Sequence, residues 1–226
     1  MPIDDTTAIE EWTRAQARVL ELAGGLSDAD ADAGRRVPAC PAWTVHDLLA
    51  HVIGLDADVL AGDEPDDHNA TWTQAQVDAR VGRGVPVLLA EWRAMTGPMR
   101  EWMAAHGTRP MGDVVIHEQD LRGALGVPGA RDTAGLAALR ERFAGRVTAA
   151  VEDAGLPPLA LVGEHWRTGP DDAAVVVQAS DFDLARAVQS RRSAAQLRGW
   201  TTRGDIGPYL PCFAVLGPLP EADLTD

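Results

Sequence analysis

Apolar side chains recur at helical spacing through roughly the first two thirds of the chain. Ile9, Trp12, Val19 and Leu22 form the first such stripe, within a helix predicted over 6–24. This spacing is typical of an amphipathic helix that packs on a core. Further helices are predicted over 45–60, from about 72, from about 86, over 111–125 and over 133–154. The pattern therefore predicts a helical bundle that ends near residue 155.

Capping residues predict more closely where two of these helices begin or end. Thr44 is followed three residues later by Asp47, which resembles a capping box and predicts that a helix begins at Val45. Gly126 after Leu125 is typical of a helix C-terminus. The segment 37–44 contains two prolines and is predicted to be a loop.

The pattern changes after Pro158. Segments 159–163 and 173–178 have the apolar, β-branched character of strands, and 167–172 has that of a turn. Two short helices are predicted at 181–190 and 192–199, and the proline-rich end, 206–226, is predicted to be irregular with one short extended piece. The predicted fold class is therefore α+β, with a helical bundle over 1–155 and a small α/β domain over 156–226.

Polar residues that can bind a metal ion interrupt two of the apolar helices. Asp113, His117 and Asp120 lie at i, i+4 and i+7, while His51 lies in the middle of the helix that begins at Val45. Residues at i and i+4 are about 5–6 Å apart on one face, so Asp113 and His117 can share an ion. A histidine from a neighbouring helix would complete three ligands and leave a position open for substrate. From spacing alone the commoner alternative is a satisfied core histidine beside a simple Asp–His hydrogen bond.

Composition narrows the function. The formal charge is −14, without a basic run, which argues against nucleic acid and anionic membranes as partners. The chain shows neither a secretory signal at its start nor an apolar stretch of about 18 residues, so we expect a cytoplasmic protein. In that reducing compartment Cys40 and Cys212 are expected to be free thiols. The other histidines are predicted to lie at the surface: His46, His68, His106 and His165.

Two stretches taken together resemble the mycothiol-dependent maleylpyruvate isomerase family. They are VPACPAWTVHDLLAHVIG, residues 37–54, and DVVIHEQDLRGALG, residues 113–126. The segment 174–197 resembles the smaller C-terminal α/β domain of the same family. The resemblance covers most of the chain and implies a DinB-like four-helix bundle with a three-ligand zinc site, followed by that α/β domain.

The resemblance places metal ligands at His51 and His117 and a third at Asp113, where the isomerase itself has Glu. Aspartate is one methylene shorter than glutamate. Either its helix must therefore lie about 1 Å closer to the ion, or its carboxylate must bind the ion through a water molecule. Zinc is the metal that the family implies, although two histidines and a carboxylate also suit iron or nickel. Asp120 and Asp47 are candidates for hydrogen-bonding the ligand histidines and so orienting them. The alternative for Asp120 is a contact unrelated to the metal, and the alternative for Asp47 is a helix cap.

The implied cofactors are therefore a divalent metal and mycothiol or a similar thiol, and the implied partners are that thiol and a small-molecule electrophile. In the family's reaction the thiolate adds to a cis double bond conjugated to a carbonyl, the resulting single bond rotates, and the thiol leaves from the trans product. Arg122, Arg191 and Arg192 are candidates for binding substrate carboxylates.

Four functions remain open at this point. Within a metal- and thiol-dependent enzyme, isomerisation competes with S-transfer of the thiol onto an electrophile. A DinB-like hydrolase would use the metal to activate water instead. The alternative outside catalysis is a metal- or ligand-binding regulatory protein with the same fold, which the substitution of Glu by Asp113 favours.

Overall fold

The computed structural model describes residues 3–27, 35–65 and 69–226. The chain divides into two compact units, Ile3–Ala130 and Arg131–Thr225. Helices make up most of the first unit, and a small sheet with further helices makes up the second. The predicted α+β class is thus confirmed.

The helices of the N-terminal unit form the predicted bundle. They are α1 (Asp5–Gly24), α2 (Val45–Ala61), α3 (Ala70–Asp78), α4 (Val85–His106) and α5 (Pro110–Leu125). Helices α1 and α2 each pack against both α4 and α5, and the short α3 lies against α2. Trp12 and Trp92 are fully buried in this unit, where they supply much of the apolar surface of the core.

Local sequence fixes the ends of the two helices that carry the candidate ligands. The Thr44 side chain accepts a hydrogen bond from Asp47 N, and the Asp47 carboxylate accepts one from Thr44 N, so the predicted capping box is confirmed. Helix α5 begins at Pro110 and ends before Gly126, whose φ of 68° suits a residue without a Cβ.

The prediction of a loop over 37–44 was wrong. Strands β1 (Arg36–Val37) and β2 (Cys40–Thr44) form an antiparallel hairpin instead. The two prolines are tolerated because Pro38 lies in the turn and Pro41 falls between the residues that pair, Cys40 with Val37 and Thr44 with Arg36. The hairpin leads directly into α2.

The C-terminal unit contains a four-stranded mixed sheet. Its elements are α6 (Ala134–Asp153), β3 (Leu159–Val162), β4 (Arg167–Thr168), β5 (Val175–Gln178), α7 (Asp181–Ala187), α8 (Ala194–Gly199), β6 (Thr201–Arg203) and a 3₁₀-helix (Gly207–Phe213). The strand order is β4-β3-β5-β6, with β3 and β5 parallel and both outer strands antiparallel to their neighbours. Strand β4 lies where a turn was predicted, β6 was not predicted, and the 3₁₀-helix lies within the segment predicted to be irregular.

The boundary between the units also differs from the prediction. Helix α6 packs against α7 and the 3₁₀-helix, so it belongs to the C-terminal unit, and the division falls after Ala130 rather than after residue 155. Periodicity shows that a helix buries one face, but it does not show which partner covers that face. Within the described residues, no helix is both long enough and apolar enough to cross a membrane.

Candidate metal centre

The three predicted ligands converge inside the N-terminal unit. His51 comes from the middle of α2, and Asp113 and His117 come from successive turns of α5. Asp113 Oδ1 lies 3.5 Å from His51 Nε2 and 3.5 Å from His117 Nε2. The two imidazole rings are nearly perpendicular, with centroids 5.0 Å apart. One ligand atom from each of the three side chains therefore faces a common point, with all three atoms within 4.8 Å of one another.

This arrangement fits a divalent ion. A tetrahedral ion with bonds near 2.0–2.1 Å holds its ligand atoms about 3.3 Å apart, close to the observed separations. Asp113 Oδ2 is buried and has no hydrogen-bond partner among the described residues, a costly state for a carboxylate oxygen unless a cation satisfies it. The shorter aspartate therefore reaches both histidines, and its oxygen is available to a metal.

The electrostatics of the centre also favour a cation. Burial alone would lower the pKa of His117, but the carboxylates of Asp113 and Asp120 outweigh it and raise the pKa to about 9. Burial would likewise raise the pKa of Asp113, but His117 and His51 hold it far below its usual range. In the metal-free protein a proton on His117 thus supplies the positive charge that Asp113 requires, and a metal ion would displace that proton.

Asp120 contacts His117, which is the geometry that a supporting role needs, and that role stays a prediction. Its Oδ2 lies 2.9 Å from His117 Nδ1 and also accepts a long hydrogen bond, 3.7 Å, from the Cys40 thiol. A carboxylate on Nδ1 leaves Nε2 of the neutral ring directed at the shared point. The hairpin that sequence analysis missed is what places Cys40 here. Neither Cys40 nor Cys212 forms a disulfide in the described part of the chain, as predicted.

Gln76 supports His51, and sequence reasoning did not find it. Its Oε1 lies 2.7 Å from His51 Nδ1, and its Nε2 donates to Asp58 Oδ2 at 2.8 Å. Trp43 of the hairpin lies over the other side of the ring, with centroids 4.9 Å apart. The only sequence signal was the stripe of His51, Gly54 and Asp58 on one face of α2, which faces α3 in the structure.

Asp56 is a buried acid that sequence reasoning also missed. It is 2% exposed, and its Oδ2 accepts a hydrogen bond from the Trp92 indole at 2.6 Å. Burial raises its pKa to about 8, and the charge of Asp113 adds to that effect, while the Trp92 hydrogen bond opposes it. Asp56 is therefore mostly protonated at neutral pH. No local pattern connects it with a tryptophan from another helix.

The remaining predicted site residues have structural partners. The Asp47 carboxylate serves the capping box, one of the two roles left open for it. Arg122 pairs with Glu118 and donates to the Val127 carbonyl. In the C-terminal unit Arg192 pairs with Asp183, and Arg191 donates to the Gln189 carbonyl. A role in substrate binding stays a prediction for the three arginines.

The other histidines lie apart from the centre as far as they are described. His106 and His165 are exposed, as predicted. The prediction for His46 was wrong: it is 7% exposed, and its Nε2 hydrogen-bonds with the Arg83 carbonyl. It lies in the first turn of α2, where the Arg83 carbonyl satisfies one of its ring nitrogens. His68 lies outside the described residues.

The fold and this cluster define a helical bundle that carries a candidate metal centre, joined to a small α/β unit. Residues 12–122 match the family model "Mycothiol maleylpyruvate isomerase N-terminal domain". This range spans most of the N-terminal unit and includes all three candidate ligands. The N-terminal unit of the chain belongs to that domain family.

Two solved structures share the fold. One is a crystal structure of the mycothiol-dependent maleylpyruvate isomerase, with 12% identity and a TM-score of 0.57, covering 84% of this chain and 90% of that chain. The other, of a histidine-to-alanine mutant of a protein with the same name, has 11% identity and a TM-score of 0.59, covering 91% of this chain and 96% of that chain. A search of curated proteins gave no match. At these identities the likeness establishes the shared fold.

Proposed function

We propose that this protein is a divalent-metal-dependent enzyme that acts with a low-molecular-weight thiol of the mycothiol type. The observation that carries the proposal is the convergence of His51 Nε2, His117 Nε2 and Asp113 Oδ1 on one point. The family of the N-terminal unit, named for mycothiol and maleylpyruvate, supports the choice of thiol and of reaction.

His51, His117 and Asp113 would hold the ion, and zinc is the metal we propose for this set of ligands. Two neutral imidazoles and one carboxylate would leave a divalent ion with a net charge near +1, which favours the thiolate form of a bound thiol. Around the centre, Asp120 and Gln76 orient the two rings through their Nδ1 atoms. Asp56 is mostly neutral near pH 7 and adds little negative charge to the surroundings of Asp113.

The reaction we propose is cis–trans isomerisation of a small α,β-unsaturated carbonyl compound of the maleylpyruvate type. Such a reaction needs no oxidant, no reductant and no nucleophile from the protein. The one thiol beside the centre in the described chain, Cys40, is directed at Asp120, which agrees with a structural role. S-transfer to an electrophile would use the same metal ligands. It differs in that the thiol stays bonded to the electrophile, whereas in isomerisation the thiol leaves again.

The test combines metal analysis with turnover. Purified protein supplied with zinc is expected to bind about one equivalent and to isomerise maleylpyruvate only when mycothiol is added. Protein treated with a chelator should lose this activity and regain it with zinc. Equal turnover before and after metal removal would reject the proposal. Stoichiometric metal without isomerisation would instead direct attention to S-transfer, to hydrolysis or to a regulatory binding protein.

A further inference from the structure

His51 is held by a group of a different kind from the one that holds His117. The Nδ1 atom of His117 faces the carboxylate of Asp120, whereas that of His51 faces the neutral side-chain amide of Gln76 at 2.7 Å. Gln76 is 2% exposed, so water does not compete for this contact. An amide oxygen can only accept a hydrogen bond. If Oε1 is the atom at this position, the neutral form of His51 must carry its proton on Nδ1 and present the lone pair of Nε2 to the centre.

A second contact fixes which end of the amide faces His51. The other end of Gln76 lies 2.8 Å from Asp58 Oδ2. Since a carboxylate oxygen accepts and does not donate, this end must be the NH₂ group. Turning the amide over would place two oxygens against each other at Asp58. Asp58 therefore sets the orientation of Gln76, and Gln76 sets the tautomer of His51.

The backbone allows this chain of contacts only because position 54 is glycine. A Cβ on Gly54 would lie 2.4 Å from Gln76 Cβ and 2.9 Å from Arg80 Nη1. Arg80 also donates to the Gln76 carbonyl at 3.2 Å and pairs with Glu91. Helix α3 is thus held against α2 one turn beyond His51, at the height where the glutamine side chain reaches the ring.

We propose that Gln76 is a positioning residue of the centre, which fixes the His51 tautomer with Nε2 unprotonated and directed at the metal position. The value of this arrangement for metal binding depends on the proposed function, because it takes the centre to be a metal site. The proposed tautomer itself does not. Hydrogen bonds of this kind to ligand imidazoles typically change metal affinity 10–100-fold.

The first measurement uses the metal-free wild-type protein. Two-bond ¹H–¹⁵N correlation spectra of the histidine rings report the tautomer directly at a pH where His51 is neutral. We expect the Nδ1–H form in the wild type and a shift toward the Nε2–H form in Gln76→Leu. Asp58→Asn, which lets the amide adopt either orientation, should give a mixture. An Nε2–H tautomer of His51 in the wild type would overturn the proposal without any reference to metal.

The second measurement is the zinc dissociation constant by chelator competition. Gln76→Leu is expected to raise it about 10–100-fold. The matched control is Gln74→Leu on the same helix, whose exposed amide donates to Asp78, and its constant should match that of the wild type. Affinity in Gln76→Leu within about twofold of wild type would reject the positioning role. Failure of the wild type itself to bind zinc would count against the proposed function, while the tautomer measurement would still decide the assignment of Gln76.

Discussion

Helix α5 carries three acidic groups that face the core, and two of them, Asp113 and Glu118, are satisfied in different ways. Glu118 is 1% exposed, and both of its oxygens accept hydrogen bonds from Arg18, at 2.8 and 2.7 Å, while Arg122 adds a further pair of contacts. Asp113 pairs with two histidines, each at 3.5 Å, and its Oδ2 lacks a hydrogen-bond partner in the described structure.

The difference lies in the partners rather than in the acids. Arginine remains protonated, so the negative charge of Glu118 is always matched by positive charge within the protein. Histidine can lose its proton, so the two partners of Asp113 can carry a positive charge or, when both are neutral, act as metal ligands. The Glu118 cluster is suited to stabilise the bundle, and the Asp113 cluster is suited to bind and release a cation.

The largest expected effect comes from removing a ligand. His51→Ala and His117→Ala should each weaken zinc binding by more than about a thousandfold, because a free energy of order 10 kcal/mol is shared among three ligands. The helical circular dichroism signal should persist, because the apolar core of the bundle is formed by other residues. His106→Ala, at an exposed position, is the matched control and should bind zinc like the wild type. A fully unfolded His117→Ala protein would mean that the cluster is structural.

The next effect concerns the Glu118 cluster. Glu118→Gln leaves Arg18 and Arg122 without their carboxylate, and we expect the free energy of unfolding to fall by about 2–3 kcal/mol in denaturant titrations. Zinc affinity should change by less than about threefold, since the Glu118 cluster does not contribute to the ligand set. Glu10→Gln, which removes an exposed pair with Arg14, should cost less than about 1 kcal/mol. A large loss of zinc affinity in Glu118→Gln would mean that the two clusters are not separate.

A third effect is a dependence of zinc affinity on pH, which the Asp113 cluster should show and the Glu118 cluster should not. The pKa of His117 is raised to about 9 in the metal-free protein, so zinc must displace its proton at lower pH. The zinc association constant should therefore rise about tenfold per pH unit from about pH 7 and level off near pH 9. Chelator competition over this range measures the slope, and a flat profile would contradict the proton exchange.

The same shift has a stability consequence of defined sign. Because the folded protein holds this proton more tightly than the unfolded chain, the contribution of His117 to the stability of the metal-free protein is complete below pH 6.5, the ordinary value, and is lost as the pH rises through about 9. Glu118→Gln should leave this pH dependence unchanged.

The sequence by itself determined the features that depend on helical periodicity. The capping box at Thr44 places His51 in the middle of α2, and the spacing within α5 puts Asp113, His117 and Asp120 on one face. These relations span four residues or fewer at each step, so the repeat of the helix decides them without reference to the rest of the fold. The family resemblance then indicated that the two helices meet.

The tertiary structure decided everything that depends on how separate elements approach each other. Gln76 reaches His51 only because α3 lies against Gly54, and Asp56 meets Trp92 only because α2 packs on α4. The same holds for the hairpin that brings Cys40 to Asp120 and for the packing of α6 within the C-terminal unit. Such contacts are set by distances and angles between elements far apart in the chain, which no local pattern of residues encodes.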